Sequence, residues 1–337
     1  MATKDALPEI VRLEQQLATV KSESKVWKNK YDIVNKQLVA SDKRANFLAD
    51  IGRPPRERGL AKIKGSGDAT AIMICSDWHV EEEVNPKTIN GLNTYTLAIA
   101  SQRINTVFRR FLMMTDVARA MCTIDTCVIA LLGDFISGYI HPELVETNLL
   151  SPTEATLFVQ DHIVNGIRFL RKEGGFKEII VPTCYGNHGR TTDKRRCASA
   201  YANSYEWLMY KTLEKYVKEP GLTWKVENGY HNWLNIQGHS VRFHHGDELK
   251  YQGGVGGITI PINKAIAQWN KVQWADYDYF GHLHQYFNVP RWCCNSSLIG
   301  YGAYALSIKA EYEVPSQTIS VISKKRGKVL NERLFCD

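Results

Sequence analysis

Five short segments of the sequence contain residue types that commonly bind metal ions, and four of the five pair them with glycine. These segments are Asp77-Trp78-His79, Gly133-Asp134, Gly186-Asn187-His188, His245-Gly246 and Gly281-His282-Leu283-His284. Carboxylate, imidazole and amide donors together suit Mn, Fe or Zn, and the absence of thiolates from the segments argues against a closed structural zinc site. Because these side chains exceed one coordination shell and a carboxylate can bridge two ions, we expect a centre of two metals.

The same five segments each end a short apolar run that is typical of a buried strand. The runs are ATAIMICSD, TCVIALLGD, KEIIVPTCYGN, HSVRFHHGD and ADYDYFGHLH. Helical patterns fill the gaps near 95–121, 153–173, 198–218 and 261–271. This alternation predicts an α/β domain whose strand ends meet at one crevice. After residue 286 the segments SLIGYGAYALSI and SQTISVIS predict further strands.

The first 50 residues have a different pattern. Residues 7–50 lack glycine and carry a stripe in the a and d positions of six heptads, namely Ile10, Leu13, Leu17, Val20, Ser24, Trp27, Tyr31, Val34, Leu38, Ser41, Ala45 and Leu48. This pattern predicts a coiled coil and a homo-oligomer formed through residues 7–50. An amphipathic helix lying on its own domain is the alternative. We therefore divide the chain into a helical arm (1–51), a linker (52–68) and a main domain (69–337).

Composition limits the class of protein. The 337 residues are 44% hydrophobic and 23% charged, which is enough for a sizeable core. No long apolar run and no signal-peptide pattern occur, so we expect a cytoplasmic protein that does not enter membranes. The eight cysteines form no C-x-x-C pair, which favours reduced, buried thiols.

The net charge of +7 is concentrated at the start of the chain. Residues 1–64 hold 14 Lys and Arg against 8 Asp and Glu, whereas residues 65–337 hold 28 against 27. The overall charge therefore says little about what the main domain binds. Its densest basic cluster follows the Asn-His segment and comprises Arg190, Lys194, Arg195 and Arg196.

The ordered set D-x-H, G-D, G-N-H, H-G and G-H-x-H resembles that of the calcineurin-like metallophosphoesterase superfamily, and the resemblance covers residues 72–285. It implies a four-layer α/β fold, a two-sheet β-sandwich flanked by helices, with two metals on one rim. The nearest branch is that of the DNA-repair exonucleases, including core-only relatives that tailed phages encode, which would place the protein in a host cytoplasm. The long C-terminal extension of the full enzymes is missing, which puts a partner ATPase in doubt.

The resemblance also implies a role for each matching residue. One metal would be held by Asp77, His79, Asp134 and His284, and the other by Asp134, Asn187, His245 and His282. Asp134 would bridge the two ions, for which Mn is preferred and Fe or Zn are alternatives. His188 would assist the leaving oxygen while a metal-bridging hydroxide attacks phosphorus. We choose His245 over His244 because the ligand precedes the glycine and strand alternation points the two side chains to opposite faces.

Two departures from the family pattern bear on the substrate. The Asp-Arg-Gly extension of protein phosphatases is absent after Asp134, and Gly189 stands where they carry an acidic residue. Arg190 could instead contact the substrate phosphate as a catalytic group. The basic cluster from Arg190 to Arg196 predicts contacts with a nucleic-acid backbone, and a solvated charge run is the alternative.

We therefore expect a metal-dependent phosphodiesterase, an exonuclease-type enzyme acting on DNA or RNA. One alternative is a phosphoesterase for small substrates, such as a cyclic nucleotide or a phosphomonoester. The other is a coiled-coil assembly protein that keeps the fold as a scaffold with a vestigial site.

Overall fold

A computed structural model of the chain describes residues 6–50, 68–250 and 257–337. The chain divides into two compact units, Met1–Ile51 and Gly52–Asp337. The predicted linker lies outside the described residues, except for Asp68. Among the described helices, none combines the length and the apolar character needed to cross a bilayer.

In its described residues, the first unit consists of one helix, α1 (Ala6–Asp50). Its a and d positions from Leu13 to Leu38 carry large apolar side chains that are each more than half exposed, except at Ser24. An exposed apolar stripe of this length is typical of a surface that meets a partner. Association of α1 with a second copy of the chain stays a prediction.

The substitution Leu17→Asp tests that association, because a charge in an a position of a coiled coil is buried against the partner helix. We expect the full chain to sediment as an oligomer in analytical ultracentrifugation and the variant to sediment as a monomer. Ser22→Asp places the same charge on the opposite face of α1 and should leave the oligomer intact. A monomeric wild-type chain at micromolar concentration would refute the prediction.

The second unit contains eleven strands and six helices within the described residues. The strands are β1 (Asp68–Cys75), β2 (Thr123–Leu131), β3 (Glu178–Thr183), β4 (Leu222–Val226), β5 (Asn232–Ile236), β6 (His239–Phe243), β7 (Tyr277–Phe280), β8 (Phe287–Asn288), β9 (Trp292–Cys294), β10 (Ser316–Ser323) and β11 (Gly327–Phe335). The helices are α2 (Leu97–Ala118), α3 (Pro142–Thr147), α4 (Pro152–Gly174), α5 (Tyr205–Tyr216), α6 (Thr259–Val272) and α7 (Ala303–Ser307).

The strands form two mixed sheets. The first has the order β11-β10-β1-β2-β3-β4, in which β1 to β4 are parallel and β10 and β11 are antiparallel additions. The second has the order β5-β6-β7-β9-β8, in which β6, β7 and β9 are parallel. In each sheet the parallel strands direct their carboxyl ends toward the same edge, where the five motif turns follow.

The core lies between the two sheets, where Ile72 and Val128 of the first pack with Phe243 and Tyr279 of the second. On the outer face of the second sheet, α6 buries Ile262 against Phe280 and Trp292. On the other side, α2 contacts β10 and β11, and α4 packs against α2 and α5. The predicted α/β fold, a two-sheet sandwich flanked by helices, is confirmed.

All five motif strands and all four predicted helices are present, and SQTISVIS forms β10. The prediction of a strand in SLIGYGAYALSI is wrong, because this segment turns at Gly300, whose φ is +77°, and then forms α7. Its backbone serves the loop of the first motif instead, since the N–H of Leu298 donates to the carbonyl of Asp77 at 3.0 Å. All eight cysteines are free thiols, and only Cys197 is exposed.

A buried ion pair crosses the second sheet. Nε of Arg242 donates to Oδ1 of Asp278 at 2.6 Å, Nη2 donates to Oδ2 at 3.1 Å, and both side chains are 1% exposed. Burial raises the pKa of Asp278 to about 6 despite the neighbouring guanidinium. Removing the cation alone would therefore leave an unpaired carboxylate in the core.

We expect Arg242→Met to lower the free energy of unfolding by about 3–5 kcal/mol at pH 8. The loss should be smaller at pH 5, because Asp278 in the variant can take up a proton and then no longer buries an unpaired charge. This relief is lost as pH rises through the raised pKa of Asp278. Urea denaturation at both pH values measures the effect. The double variant Arg242→Met/Asp278→Leu should recover much of it, and an equal loss in the single and double variants would contradict the explanation.

Candidate metal centre

The structure brings six of the seven predicted ligands into two groups whose ligand atoms lie within 4.8 Å of one another. The first group is Asp77, His79 and His284, and the second is Asp134, His245 and His282. The two groups adjoin, because the backbone N–H of His282 donates to both carboxylate oxygens of Asp77 at 3.1 and 3.0 Å. The seventh residue, Asn187, joins the second group through its Oδ1, which lies 3.2 Å from Nε2 of His245.

The turns after β1 and β2 hold the two carboxylates side by side. The N–H of Asp77 donates to the carbonyl of Gly133 at 3.0 Å, and the N–H of His79 donates to that of Asp134 at 3.2 Å. These bonds continue the parallel β1–β2 pairing beyond the strands. The position of one motif is therefore set by the backbone of the other.

The glycines of the motifs allow this close packing. A Cβ on Gly186 would collide with the carboxylate and the N–H of Asp134, and one on Gly281 would collide with the carboxylate of Asp77. Each glycine thus lies where a ligand carboxylate of another motif needs the space.

Five of the candidate ligands adopt a backbone conformation that residues other than glycine rarely have. Their φ angles are positive, from 46° to 70°, at Asp77, His79, Asp134, His282 and His284. Such conformations cost about 1–3 kcal/mol each and persist where the surrounding structure enforces them, often at functional sites. Only three other described residues besides glycine share this feature, so the strain is concentrated in the motif turns.

In the second group, hydrogen bonding orients His245 so that a lone pair faces the site. A carbonyl can only accept, so the contact of 2.7 Å between Nδ1 and the oxygen of Leu132 places a proton on Nδ1. In the neutral ring, Nε2 then directs a lone pair at Oδ2 of Asp134, at 2.9 Å, and at Oδ1 of Asn187. Once Nε2 carries no proton, three acceptors meet without a donor, and this arrangement suits a cation.

The pKa shifts of His245 and Asp134 arise because each group is buried beside a partner of opposite charge. Burial alone would lower the pKa of His245, but the carboxylate of Asp134 raises it to about 10. Burial would likewise raise the pKa of Asp134, which His245 and His188 hold well below its usual value. Without a metal, His245 is therefore protonated on both ring nitrogens, and a divalent ion, which the donor set fits, would replace the proton on Nε2.

The first group repeats this arrangement with other partners. The hydroxyl of Ser137 donates to Glu82 at 2.9 Å, so it accepts from Nδ1 of His79, also at 2.9 Å. Nε2 of His79 is then an acceptor that lies 3.2 Å from Nε2 of His284. Burial lowers the pKa of His79 well below its usual value, which keeps the ring neutral and able to bind a metal.

His188 lies beside both groups without belonging to either. Its backbone N–H donates to Oδ1 of Asp134 at 2.8 Å, and its Nδ1 lies 3.0 Å from the carbonyl oxygen of Ser137. Because that carbonyl must accept, the proton sits on Nδ1 and Nε2 stays available for chemistry. Its ring centroid lies 4.8 Å from that of His79, at the edge of the first group.

Two of the four residues predicted to contact nucleic acid, Arg190 and Arg195, bind groups of the chain itself. The guanidinium of Arg190 donates to the carbonyls of Asn187, Thr192 and Asp193 at 2.8, 3.0 and 3.2 Å. Arg190 thus supports the backbone of a candidate ligand. The two other cations, Lys194 and Arg196, have exposed side chains.

Arg195 pairs with two carboxylates. Its Nη2 lies 2.7 Å from Oδ2 of Asp247 and 2.6 Å from Oε1 of Glu248. A phosphate would have to compete with these carboxylates for the guanidinium, so Arg195 is poorly placed to form part of an open basic track.

Sequence reasoning missed Glu206, a buried carboxyl in the first turn of α5 that is 1% exposed. Its Oε1 accepts from the N–H of Phe135 and its Oε2 from the N–H of Gly186, both at 2.7 Å. A Cβ on Gly189 would contact this side chain. Glu206 thus supplies a buried carboxyl beside the Asn-His turn, and no motif in the sequence marks it.

We expect Glu206→Gln to weaken metal binding, because an amide has one acceptor oxygen and its NH₂ group would face an N–H donor. Leaving one buried donor unpaired costs about 1–3 kcal/mol. Isothermal titration with Mn²⁺ should show a lower affinity and fewer bound ions, while circular dichroism stays unchanged. Glu214→Gln, on the same helix, is the matched control. Unchanged Mn²⁺ affinity in Glu206→Gln would show that the carboxyl serves stability alone.

Comparison with known proteins gives similarity at the level of solved structures only. No protein-family model and no curated protein matches the chain. The Entamoeba histolytica Vps29 structure with Zn²⁺ is 13% identical, with a TM-score of 0.31, over 79% of this chain and 99% of that one. Hypothetical protein PH1004 from Pyrococcus horikoshii OT3 is 10% identical, with a TM-score of 0.38, over 80% and 89%.

A putative 5'-nucleotidase from Staphylococcus aureus, in complex with alpha-ketoglutarate, is 9% identical, with a TM-score of 0.33, over 80% of this chain and 54% of that one. Similarities at these TM-scores do not bear on what this chain does. The two groups of ligand atoms, their orientation and their charge define the site as a candidate centre for two metal ions.

Proposed function

We propose that this protein is a phosphodiesterase that depends on two divalent metal ions and cleaves nucleic acid. The single observation that carries the proposal is the meeting of buried carboxylate, imidazole and amide acceptors in two adjoining groups. Such donor sets occur where enzymes hold metal pairs for phosphoryl chemistry. Mn²⁺ is our first choice, with Fe or Zn as alternatives, because the ligands are oxygen and imidazole nitrogen.

When bound, the two ions would supply an activated water and neutralise phosphate oxygens. The residues of the chain supply orientation and proton transfer. Leu132 and Ser137 hold the imidazoles of His245 and His79 in the tautomer that leaves Nε2 free. His188 keeps its Nδ1–H on the carbonyl of Ser137, and in the imidazolium form its Nε2 would carry the second proton, which can pass to the departing oxygen of the ester.

The state of Arg190 favours diesters over monoesters. A phosphodiester carries one negative charge and a monoester carries up to two at neutral pH, so a monoester gains more from an added guanidinium. Arg190, the cation that follows the Asn-His segment, has its guanidinium on three backbone carbonyls. The exposed side chains of Lys194 and Arg196 can still contact a polymer backbone.

A panel of four substrates tests the proposal with Mn²⁺-loaded protein. The substrates are bis-p-nitrophenyl phosphate, p-nitrophenyl phosphate, linear single-stranded DNA and a cyclic dinucleotide. We expect hydrolysis of the generic diester, inhibition of that hydrolysis by single-stranded DNA, and cleavage of the DNA itself. EDTA should abolish all three activities, and added Mn²⁺ should restore them.

Each other outcome of the panel assigns the site differently. Hydrolysis of the monoester or the cyclic dinucleotide without cleavage of DNA would replace the nuclease by a small-substrate phosphoesterase. No activity on any substrate, together with no Mn²⁺ binding in calorimetry, would leave the fold as a scaffold for assembly through α1 and would overturn the proposal.

A further inference from the structure

A cavity of about 480 Å³ opens directly beside the second ligand group. Its wall includes Asn187, a candidate ligand, together with Tyr185, Asp247 and residues of α6. This volume lies in the range of sites that bind small organic molecules. A substrate whose phosphate lies at the ligand groups would therefore have a cleft next to it.

The wall of the cavity is rich in aromatic rings. Tyr185, Tyr230, His231 and Trp269 all line it. Trp269 is fixed by neighbours, since its ring centroid lies 4.7 Å from that of His231 and 5.1 Å from the guanidinium carbon of Arg242. Rigid aromatic surfaces bind nucleobases by stacking, with little dependence on sequence.

The cavity also contains an acceptor that has no partner. The side chain of Asp247 is 9% exposed, and its Oδ2 pairs with Arg195. Its Oδ1 is buried without a hydrogen-bond partner among the residues that the structure describes. A buried acceptor of this kind favours a ligand that brings an N–H or O–H group, as the edge of a base or a sugar hydroxyl does.

We propose that this cavity binds the nucleoside attached to the phosphate at the candidate metal centre. The inference rests on the proposed function and specifies its substrate class: a nucleotide whose base is unpaired, at the end of a single strand or in a free mononucleotide. A base stacked inside a duplex has to leave the helix before it can enter the cavity, and this extrusion is unfavourable. Duplex interiors are therefore poor substrates.

Calorimetry with product analogues tests the cavity without any turnover. Adenosine monophosphate and ribose 5-phosphate share the same sugar phosphate and differ only in the base. We expect Mn²⁺-loaded protein to bind adenosine monophosphate at least about tenfold more tightly, from stacking of one base. Equal affinities would overturn the inference, whereas hydrolysis of bis-p-nitrophenyl phosphate in a separate assay would still support the proposed function.

A pair of tryptophan variants locates the effect. Trp269→Leu should reduce the affinity ratio between the two ligands to near one. Trp274→Leu removes a tryptophan that is 52% exposed and outside the wall of this cavity, and it should leave the ratio unchanged. If Trp269→Leu fails to fold, the ligand pair on the wild-type protein decides the question alone. An unchanged ratio in folded Trp269→Leu would overturn the assignment.

Two further substrates distinguish a strand end from a free nucleotide as the source of the nucleoside. A ten-residue deoxyadenosine oligonucleotide should be cleaved at least tenfold faster than the same strand annealed to its complement. Equal rates on the two forms would contradict the inference. Preferential binding of adenosine monophosphate without cleavage of the oligonucleotide would assign the cavity to free nucleotides.

Discussion

Asp134→Asn is expected to lower the rate of diester hydrolysis at least about a thousandfold. Oδ2 of Asp134 belongs to the second ligand group, and its Oδ1 accepts the N–H of His188. The sequence analysis predicts that the same carboxylate would contribute to holding both ions. Loss of several kcal/mol of charge stabilisation corresponds to a factor of this size, since each 1.36 kcal/mol is tenfold in rate.

The measurement combines initial rates on bis-p-nitrophenyl phosphate with metal content by elemental analysis. We expect Asp134→Asn to bind fewer than two ions per chain while it keeps the circular dichroism of the wild type. Asp161→Asn makes the same chemical change at an exposed carboxylate on α4 and should retain both ions and full activity. Two bound ions and an unchanged rate in Asp134→Asn would remove this carboxylate from the centre.

The sequence was informative about the site because its ligands follow strands. Asp77 follows β1, Asp134 follows β2 and His245 follows β6, and parallel pairing brings the ends of such strands to one edge. The choice of His245 over His244 combined strand alternation with the ligand position before the glycine that the family resemblance implies. In the structure, His244 stacks on Phe280, with ring centroids 4.9 Å apart, on the side away from the ligand group.

Other features could not be predicted, because they depend on tertiary contacts between distant segments. Glu206 lies on a helix with an ordinary pattern, and its role exists only because two turns direct N–H groups at it. Arg190 appears in the sequence as a free cation, yet three carbonyls of its own loop occupy it. The positive φ angles of the ligands likewise arise from packing between turns, which a local pattern does not encode.

The SLIGYGAYALSI segment shows the converse limit of local reasoning. Its alternation of apolar residues is typical of a strand, but its backbone groups have partners that replace a sheet neighbour. Arg103 donates to the carbonyls of Leu298 and Ile299 at 2.7 and 2.9 Å. Since each buried backbone group needs only one good partner, a side chain from α2 can replace a neighbouring strand.

His188→Ala is expected to lower activity by about a hundredfold to ten thousandfold on substrates with a poor leaving group, with both metals still bound. Thymidylyl-thymidine, a dinucleotide, releases a sugar hydroxyl that needs a proton as the P–O bond breaks. Bis-p-nitrophenyl phosphate releases a phenolate that is stable without one. If His188 acts as the proton donor, the loss on the dinucleotide must exceed the loss on the nitrophenyl ester.

This difference between leaving groups separates proton transfer from a positioning role. An imidazole that only shaped the site through its bond to the carbonyl of Ser137 would reduce both rates by the same factor. His239→Ala removes an imidazole at the start of β6, the end of that strand opposite His245, and should leave both rates unchanged. Equal losses on the two esters in His188→Ala would therefore assign the proton to another donor, whereas a loss confined to the dinucleotide would place it on Nε2 of His188.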